Sequence, residues 1–577
     1  MDSSDVAAPG QRAWPACATL AMAAPALLAF NLPPSATFFN QAAAMVGWGG
    51  FLVVVADAAP LHRRLGNAGL TALLAALALL LASSLASPLW AGLPSALALS
   101  GAGLILAAAL AALVGASVQS AGRGVTAFRA LCIGMVVAGV ASSAVGIVQV
   151  FAPQWPDGDF IARTYIAGRA VGNMRQPNHL SSLLVWATIA AVWLAETGVF
   201  KRWVGAALAL LFIFVIVLSA SRTGTVSVGL LAVWSLLDKR LSRPTRLLLL
   251  CAPVAYGLFW LGTSAWADYS HHVFGGETRF STKGDISSSR WGIWSNTLAL
   301  IAMHPWAGVG FGEFNFAWTL TPFPGRPVAF FDHTHNIILQ FAVELGLPLA
   351  TAVLALLAWA LFSAWRGAQD SARRAALVMV LMILLHSLLE YPLWYAYFLL
   401  PAAFAFGLCL GRPEDASAAA AASGKTTRPL LIASLLLMLG GIASVADYSR
   451  VVTIFAPAEG APPLTQRIAS GQRSVFFAHQ ADYAAATTTE HPADAMDSFQ
   501  RAPHNLLDAR LMMAWAKALD ESGDHERARY VAQRLEEFHN DGAEEFFAPC
   551  ADKTMPAAAL PFQCVAPTRS FSYEDFR

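Results

Sequence analysis

The sequence predicts an all-α, polytopic membrane protein with about 13 transmembrane helices, a large outward loop and a small helical C-terminal domain. Three observations predict it. The 577 residues are 56% hydrophobic and 13% charged, with a mean hydropathy of +0.54, too apolar for an ordinary water-soluble fold. The apolar residues gather in runs that can cross a bilayer, allowing for tilt and short spans. Lysine and arginine concentrate in alternate connections between these runs. The net charge of +1 offers no basic surface of the kind nucleic acid requires, so membrane lipids are expected around the chain and no nucleic acid.

The runs fall at about 16–31, 41–58, 69–87, 95–117, 128–151, 179–197, 203–219, 223–237, 246–264, 336–363, 374–390, 393–411 and 429–446. The opening MDSSDVAAPGQRAW lacks the basic stretch and cleavage site of a signal peptide, so the first run is expected to be retained as a span. Positive connections at Arg63–Arg64, Arg123 with Arg129, Lys201–Arg202, 239–246, 366–374 and 412–428 should face the cytoplasm. The connections at 32–40 and 88–94 carry no Lys or Arg and should face outward. Thirteen spans then put the N-terminus inside and the C-terminus outside. The transmembrane region is expected over 1–446, including an outward loop at 265–335. From about residue 447 the composition becomes that of a soluble domain, 447–577. Within it, 506–538 reads as two amphipathic helices joined at Ser522-Gly523-Asp524, either a tetratricopeptide-like hairpin or an ordinary small helical domain. Cys17, Cys132, Cys251 and Cys409 lie in or beside spans as small apolar side chains. Cys550 and Cys564 lie in the outward tail, where an oxidising compartment favours a disulfide between them.

Ionisable residues in a chain this apolar need a reason. In FFDHTHNIILQFAVELGLPLA (330–350), His335 and Asn336 directly precede the span that begins near Ile337. A helix N-terminus has unpaired N–H groups and partial positive charge. It favours an anion nearby and keeps an imidazole neutral, available as a base. The plainer reading is that Asn336 caps the helix and the histidines are interfacial. His333 and His335 could also share a metal with Asp332 or the His271–His272 pair, but spacing fixes no third and fourth ligand, so no metal or other cofactor is expected. Arg222, in the tight turn LSASRTGT (218–225), and Arg290, in DISSSRWGIWSNTL (285–298), are candidates to clamp a diphosphate; Arg222 could instead anchor a lipid headgroup. Arg169, Arg175, Gln176, Asn178 and His179, at the mouth of another span, could bind sugar or phosphate or simply cap it. His386 and Glu390 are one helical turn apart in HSLLEYPLWYAYF (386–398), and Glu344 lies two turns into its span; each is a functional candidate or an interhelical hydrogen-bonding group. These residues collect on one face rather than at mid-membrane, which argues against a transporter and suits transfer from a lipid diphosphate carrier.

At these residues the chain resembles the bacterial O-antigen ligase and polymerase superfamily, through His335-Asn336 and the downstream Glu344-Leu345-Gly346. Arg-Gln-Pro-Asn-His (175–179), Glu-Tyr-Pro-Leu-Trp-Tyr (390–395) and the soluble tail are more similar to its protein O-oligosaccharyltransferase branch, the protein glycosylation ligases. The resemblance covers about residues 130–540. It implies a metal-independent glycosyltransferase of the bacterial inner membrane, with its active site and C-terminus periplasmic, that moves a glycan en bloc from undecaprenyl diphosphate to Ser or Thr of exported proteins such as pilins. It makes His335 the expected catalytic base and Arg222 and Arg290 the diphosphate ligands. Asp332 stands where lipid A ligases often carry a further histidine, which favours a protein acceptor over lipid A. O-antigen ligase or polymerase activity is the alternative within the superfamily.

Overall fold

The computed structural model describes residues 13–56, 67–277, 289–412, 428–551, 556 and 559–577, which form helices and their connections with no strand among them. The predicted roles of residues 1–12, Arg63, Arg64, Lys425 and 278–288 lie outside the described residues. In chain order the helices are α1 (Trp14–Leu27), α2 (Phe38–Ala56), α3 (Ala68–Trp90), α4 (Ser95–Ser120), α5 (Gly124–Phe151), α6 (Pro177–Glu196), α7 (Arg202–Ser219), α8 (Arg222–Leu237), α9 (Arg243–Leu250), α10 (Ala252–Ser270), α11 (Ser289–Met303), α12 (Phe314–Leu320), α13 (Ile337–Gly367), α14 (Ser371–Ser387), α15 (Ala396–Leu410), α16 (Arg428–Phe455), α17 (Leu464–Gly471), α18 (Ala478–Thr488), α19 (Ala509–Glu521) and α20 (His525–Glu536).

Each predicted apolar run falls on a helix, and the all-α membrane class holds. Among the described residues, eight helices are long and apolar enough to cross a bilayer, or nine if α9 and α10, bent by 41°, form one span; α1, α8 and α15 are apolar but shorter. Pro253 in the first turn of α10 lacks an N–H and crowds the carbonyl four residues back, which accounts for the bend. The helices distribute into two units: Met1–Ala75, Leu106–Lys283 and Leu356–Val445; and Ala76–Ile105, Gly284–Ala355 and Ala446–Arg577. The change of composition near 447 therefore falls inside α16.

In the first unit α6 is the most enclosed apolar helix, with 94% of its apolar stretch buried. Its Trp186 Nε1 donates to the Met379 carbonyl at 2.9 Å, fixing it to α14. The α4–α15 crossing depends on glycine: a Cβ on Gly115 would lie 2.3 Å from the Phe404 oxygen, and one on Gly407 2.1 Å from the Ala112 oxygen. Small residues let apolar helices meet backbone to backbone where the hydrophobic effect cannot drive them together. Trp48, Phe51 and Phe404 fill the adjacent α2–α15 contact with edge-on rings 5.5–5.7 Å apart.

In the second unit the tail packs on the segment that precedes α13. His504 Nδ1 meets Glu313 at 2.7 Å, both side chains being nearly or wholly buried. The Leu507 N–H donates to Asn315 Oδ1 at 2.8 Å, and the Tyr530 hydroxyl donates to the Leu320 carbonyl at 2.7 Å. Arg326 lies 4.4 Å over the Phe538 ring and pairs with Glu537 at 3.3 Å. The α19–α20 hairpin is present, capped by Asp508 and Asp524, and Cys550 is bonded to Cys564.

One buried group of the tail makes stability depend on pH. His479 in α18 is 7% exposed, and burial pulls its imidazole down to about 4 despite the opposing charge of Asp482. An unfolded histidine titrates near 6.5, so the unfolded chain takes up the proton first as pH falls. The neutral ring's contribution is complete above about pH 6.5 and is lost progressively toward pH 4. His479→Gln should therefore flatten the acid limb of a plot of melting temperature against pH in detergent. An unchanged acid slope would exclude His479 as its source.

Candidate active site

The polar residues of the first unit build the mouth of α6. Gln176 caps that helix, its Oε1 accepting the His179 N–H at 2.9 Å, and Pro177 occupies a position whose N–H would be unpaired anyway. His179 is buried, with Nδ1 3.0 Å from the Tyr397 hydroxyl and its ring edge-on to Tyr395 and His386. His386 Nδ1 in turn meets the Ser182 hydroxyl at 2.8 Å. Asn178 donates to Glu390 at 3.2 Å and accepts the Ser221 hydroxyl at 2.6 Å. Arg175 has a left-handed φ of 56° and donates from Nη1 to the Ala36 carbonyl.

This network leads to the turn carrying Arg222. Ser221 Oγ accepts the Gly224 N–H at 3.0 Å and so caps α8, whose first residue is the exposed Arg222. Arg169 donates from Nε to the Ser219 carbonyl at 2.9 Å and from Nη2 to that of Ala220, the left-handed residue of the turn. Asn178, Ser221 and Arg169 thus brace a tight turn that presents a permanently charged guanidinium.

The second unit holds the other group. Trp294 of α11 donates its Nε1 proton to the Thr334 carbonyl at 3.0 Å, which docks α11 on the residue before His335. Arg290 lies four residues before Trp294, on the same side of that helix. Asn336 caps α13, its Oδ1 accepting the N–H groups of Ile338 and Leu339. His335 is half-buried, edge-on to Phe331, and takes a left-handed φ of 55°. For a residue with a Cβ that conformation costs on the order of 1–3 kcal/mol and persists only where neighbours impose it.

His333 Nδ1 pairs with Asp332 at 3.0 Å. The protein atoms around Asp332 push its carboxyl up, but the charges of His333 and then His335 outweigh them and hold it below the ordinary carboxylate range. A carboxylate that stays ionised beside two imidazoles stabilises whichever of them takes a proton. This unit therefore presents an acid–base group in a fixed, strained position, an anionic neighbour and the arginine of α11. Among the described residues no three His, Cys, Asp or Glu side chains gather as metal ligands.

The expected site residues thus sort into two sets. Arg222, Arg175, Gln176, Asn178, His179 and Glu390 lie in the first unit, together with His271 and His272; Arg290, His333, His335 and Asn336 lie in the second. Gln176 and Asn336 are engaged as helix caps, and His179 is enclosed by aromatic rings. Sequence reasoning missed Trp294, Thr334 and Gln340. The signal for Gln340 was available, since it lies one helical turn before Glu344 on the same face.

Three family models match the chain: O-antigen ligase over 207–354, the C-terminal part of a virulence factor membrane-bound polymerase over 374–549, and protein glycosylation ligase over 170–195. The first contains Arg222, Arg290 and 332–344; the third contains 175–179; the second contains Glu390 and most of the tail. A general O-oligosaccharyltransferase of Acinetobacter baylyi is 30% identical over 261 residues, covering 43% of this chain and 45% of the relative. A ComP-specific O-oligosaccharyltransferase of the same organism is 24% identical over 259 residues, with the same coverage. The match spans slightly less than half the length of each of these relatives. The resemblance read from the motifs is borne out by these matches.

Proposed function

We propose that this chain is an O-linked oligosaccharyltransferase that moves a glycan en bloc from undecaprenyl diphosphate to a Ser or Thr hydroxyl of a periplasmic protein such as pilin. The observation that carries the reading is His335: a strained imidazole at a helix start, beside the Asp332–His333 pair and on a segment to which α11 brings Arg290. The chain lies in the inner (cytoplasmic) membrane with its N-terminus cytoplasmic and its active site and C-terminus periplasmic. This orientation follows from the placement of basic residues in alternate connections.

In this reading His335 takes the proton of the acceptor hydroxyl. The acceptor oxygen forms its bond to the anomeric carbon as the bond from that carbon to the phosphate oxygen breaks. Undecaprenyl diphosphate leaves with the bonding electrons. Arg290, in the same unit as His335, takes the charge that grows on the leaving group, a form of stabilisation that often supplies the largest share of catalysis; Arg222 is the further diphosphate ligand that the family resemblance implies. The proton on His335 is held by the nearby Asp332 carboxylate and then released to solvent.

The test is mass spectrometry of the periplasmic proteins of the source bacterium with and without this chain. One oligosaccharide should disappear from Ser or Thr residues while lipopolysaccharide keeps its length. Unchanged glycoproteins alongside truncated lipopolysaccharide would make the chain an O-antigen ligase instead.

A further inference from the structure

Glu344 has no part in the transfer just described, yet it ends a line of buried hydrogen bonds that begins beside His335. We propose that Gln340 is a positioning residue for that histidine: its side-chain amide clamps the Thr334 backbone and so imposes the conformation that aims the imidazole. The proposal rests on the reading of His335 as the base.

Gln340 is 2% exposed. Its Oε1 accepts the Thr334 N–H at 2.8 Å and its Nε2 donates to Glu344 Oε1 at 2.9 Å. The Glu344 carboxylate also takes the backbone N–H groups of Gly312 and Phe314. Its main-chain carbonyl accepts the Gly310 N–H at 3.0 Å, and the Val343 carbonyl accepts that of Val309 at 2.8 Å. These carbonyls are available because α13 is interrupted two residues later. Gly346 takes φ 73°, Leu347 donates to the Pro305 carbonyl at 2.7 Å, and a Cβ on Gly346 would lie 2.4 Å from the Trp306 oxygen. The anchor of the clamp is therefore the segment 305–314, threaded against the break in the helix.

At the other end, Thr334 is held at every polar atom. Its N–H goes to Gln340 and its carbonyl accepts from Trp294. Its hydroxyl donates to the Asn336 carbonyl at 2.8 Å and accepts the Asn336 N–H at 3.2 Å, bridging across His335. A left-handed residue that is not glycine needs such over-determination. Without the Gln340 bond the Thr334 N–H is buried and unpaired, and the segment relieves both costs by letting His335 leave the left-handed region, which redirects its Cβ. A displacement of the reacting group by about 1 Å can cost about 10²-fold in rate.

The experiment uses purified full-length protein in detergent with a polyprenyl-diphosphate-linked glycan and an acceptor protein. Gln340→Leu should lower kcat about 10²-fold and leave KM for the lipid-linked donor within about threefold, because aim is lost and not donor binding. The swap of Gln340→Glu together with Glu344→Gln keeps every donor opposite an acceptor. The new carboxylate accepts from Thr334 and from the amide at 344, whose oxygen accepts from Gly312 and Phe314. It should recover kcat to within about tenfold of the wild type, while Gln340→Glu alone, with two carboxylates in contact, should not. Wild-type kcat in Gln340→Leu at a native melting temperature, with His335→Ala inactive, overturns the proposal and spares the base assignment. A natively melting swap that stays as slow as Gln340→Leu also overturns it. If Gln340→Leu does not fold, the swap decides alone. Full activity in His335→Ala instead overturns the assignment of the base.

Discussion

His335→Ala is expected to lower glycan transfer by about 10²- to 10⁴-fold, the range that a positioned general base supplies. Expression and melting temperature should stay near those of the wild type, because the imidazole is only half-buried. Alanine also relieves no conformational cost, since any residue with a Cβ resists the left-handed region. His333→Ala is the informative companion. It removes the partner of Asp332 and not the base, so its effect should be smaller and should shift the pH dependence of transfer. Gel-shift and mass-spectrometric assay of a co-expressed acceptor checks both. Undiminished glycosylation by His335→Ala at normal expression would refute its role.

The second large effect concerns stability. His504→Ala leaves the carboxylate of Glu313 wholly buried without its partner, and removing one member of such a pair typically costs about 3–5 kcal/mol. The ring also stacks on Phe316 with centroids 4.4 Å apart, so packing is lost as well. Burial pushes the Glu313 carboxyl up while His504 and Arg577 pull against it, and the net displacement is upward. A carboxyl whose folded pKa is raised contributes most at low pH and loses that contribution as pH rises through the folded value. The melting deficit of His504→Ala should therefore be smaller near pH 5 than near pH 8. Replacing both residues, as Glu313→Met with His504→Leu, should restore much of the loss. A deficit independent of pH would point to lost packing alone.

Much of the fold was legible because a bilayer imposes a long apolar helix on any chain that crosses it, and each such run stands out in composition alone. The helix start at Ile337 was legible for a local reason: Asn336 is a strong capping residue directly before an apolar run. What could not be read were partners set by tertiary contact. The bond from Gln340 to Thr334 needs α13 to begin where it does, and the pairing of Glu344 with Gly312 and Phe314 needs a break at Gly346 that no local signal fixes, since Gly and Pro also occur inside unbroken spans of this kind. The tail shows the same limit. Its change of composition is plain in the sequence, but the partners of His504, Leu507, Tyr530 and Glu537 lie at residues 313–326, far away in sequence. The Asp332–His333 pair lay in plain view, but adjacency in sequence does not say that two side chains turn toward each other.

The docking of residues 504–538 on 313–326 has a consequence for how such a chain can be inherited. A gene of this kind that recombined by its terminal segment alone would join the tail of one lineage to the spans of another. A tail imported by itself would bring a new residue opposite Glu313, Asn315 and Arg326, each of which is committed to a counterpart in the native tail. Recombination that preserves function must therefore carry the two stretches in one transfer. Their junctions belong before residue 305 and in α16, with the intervening spans travelling as cargo.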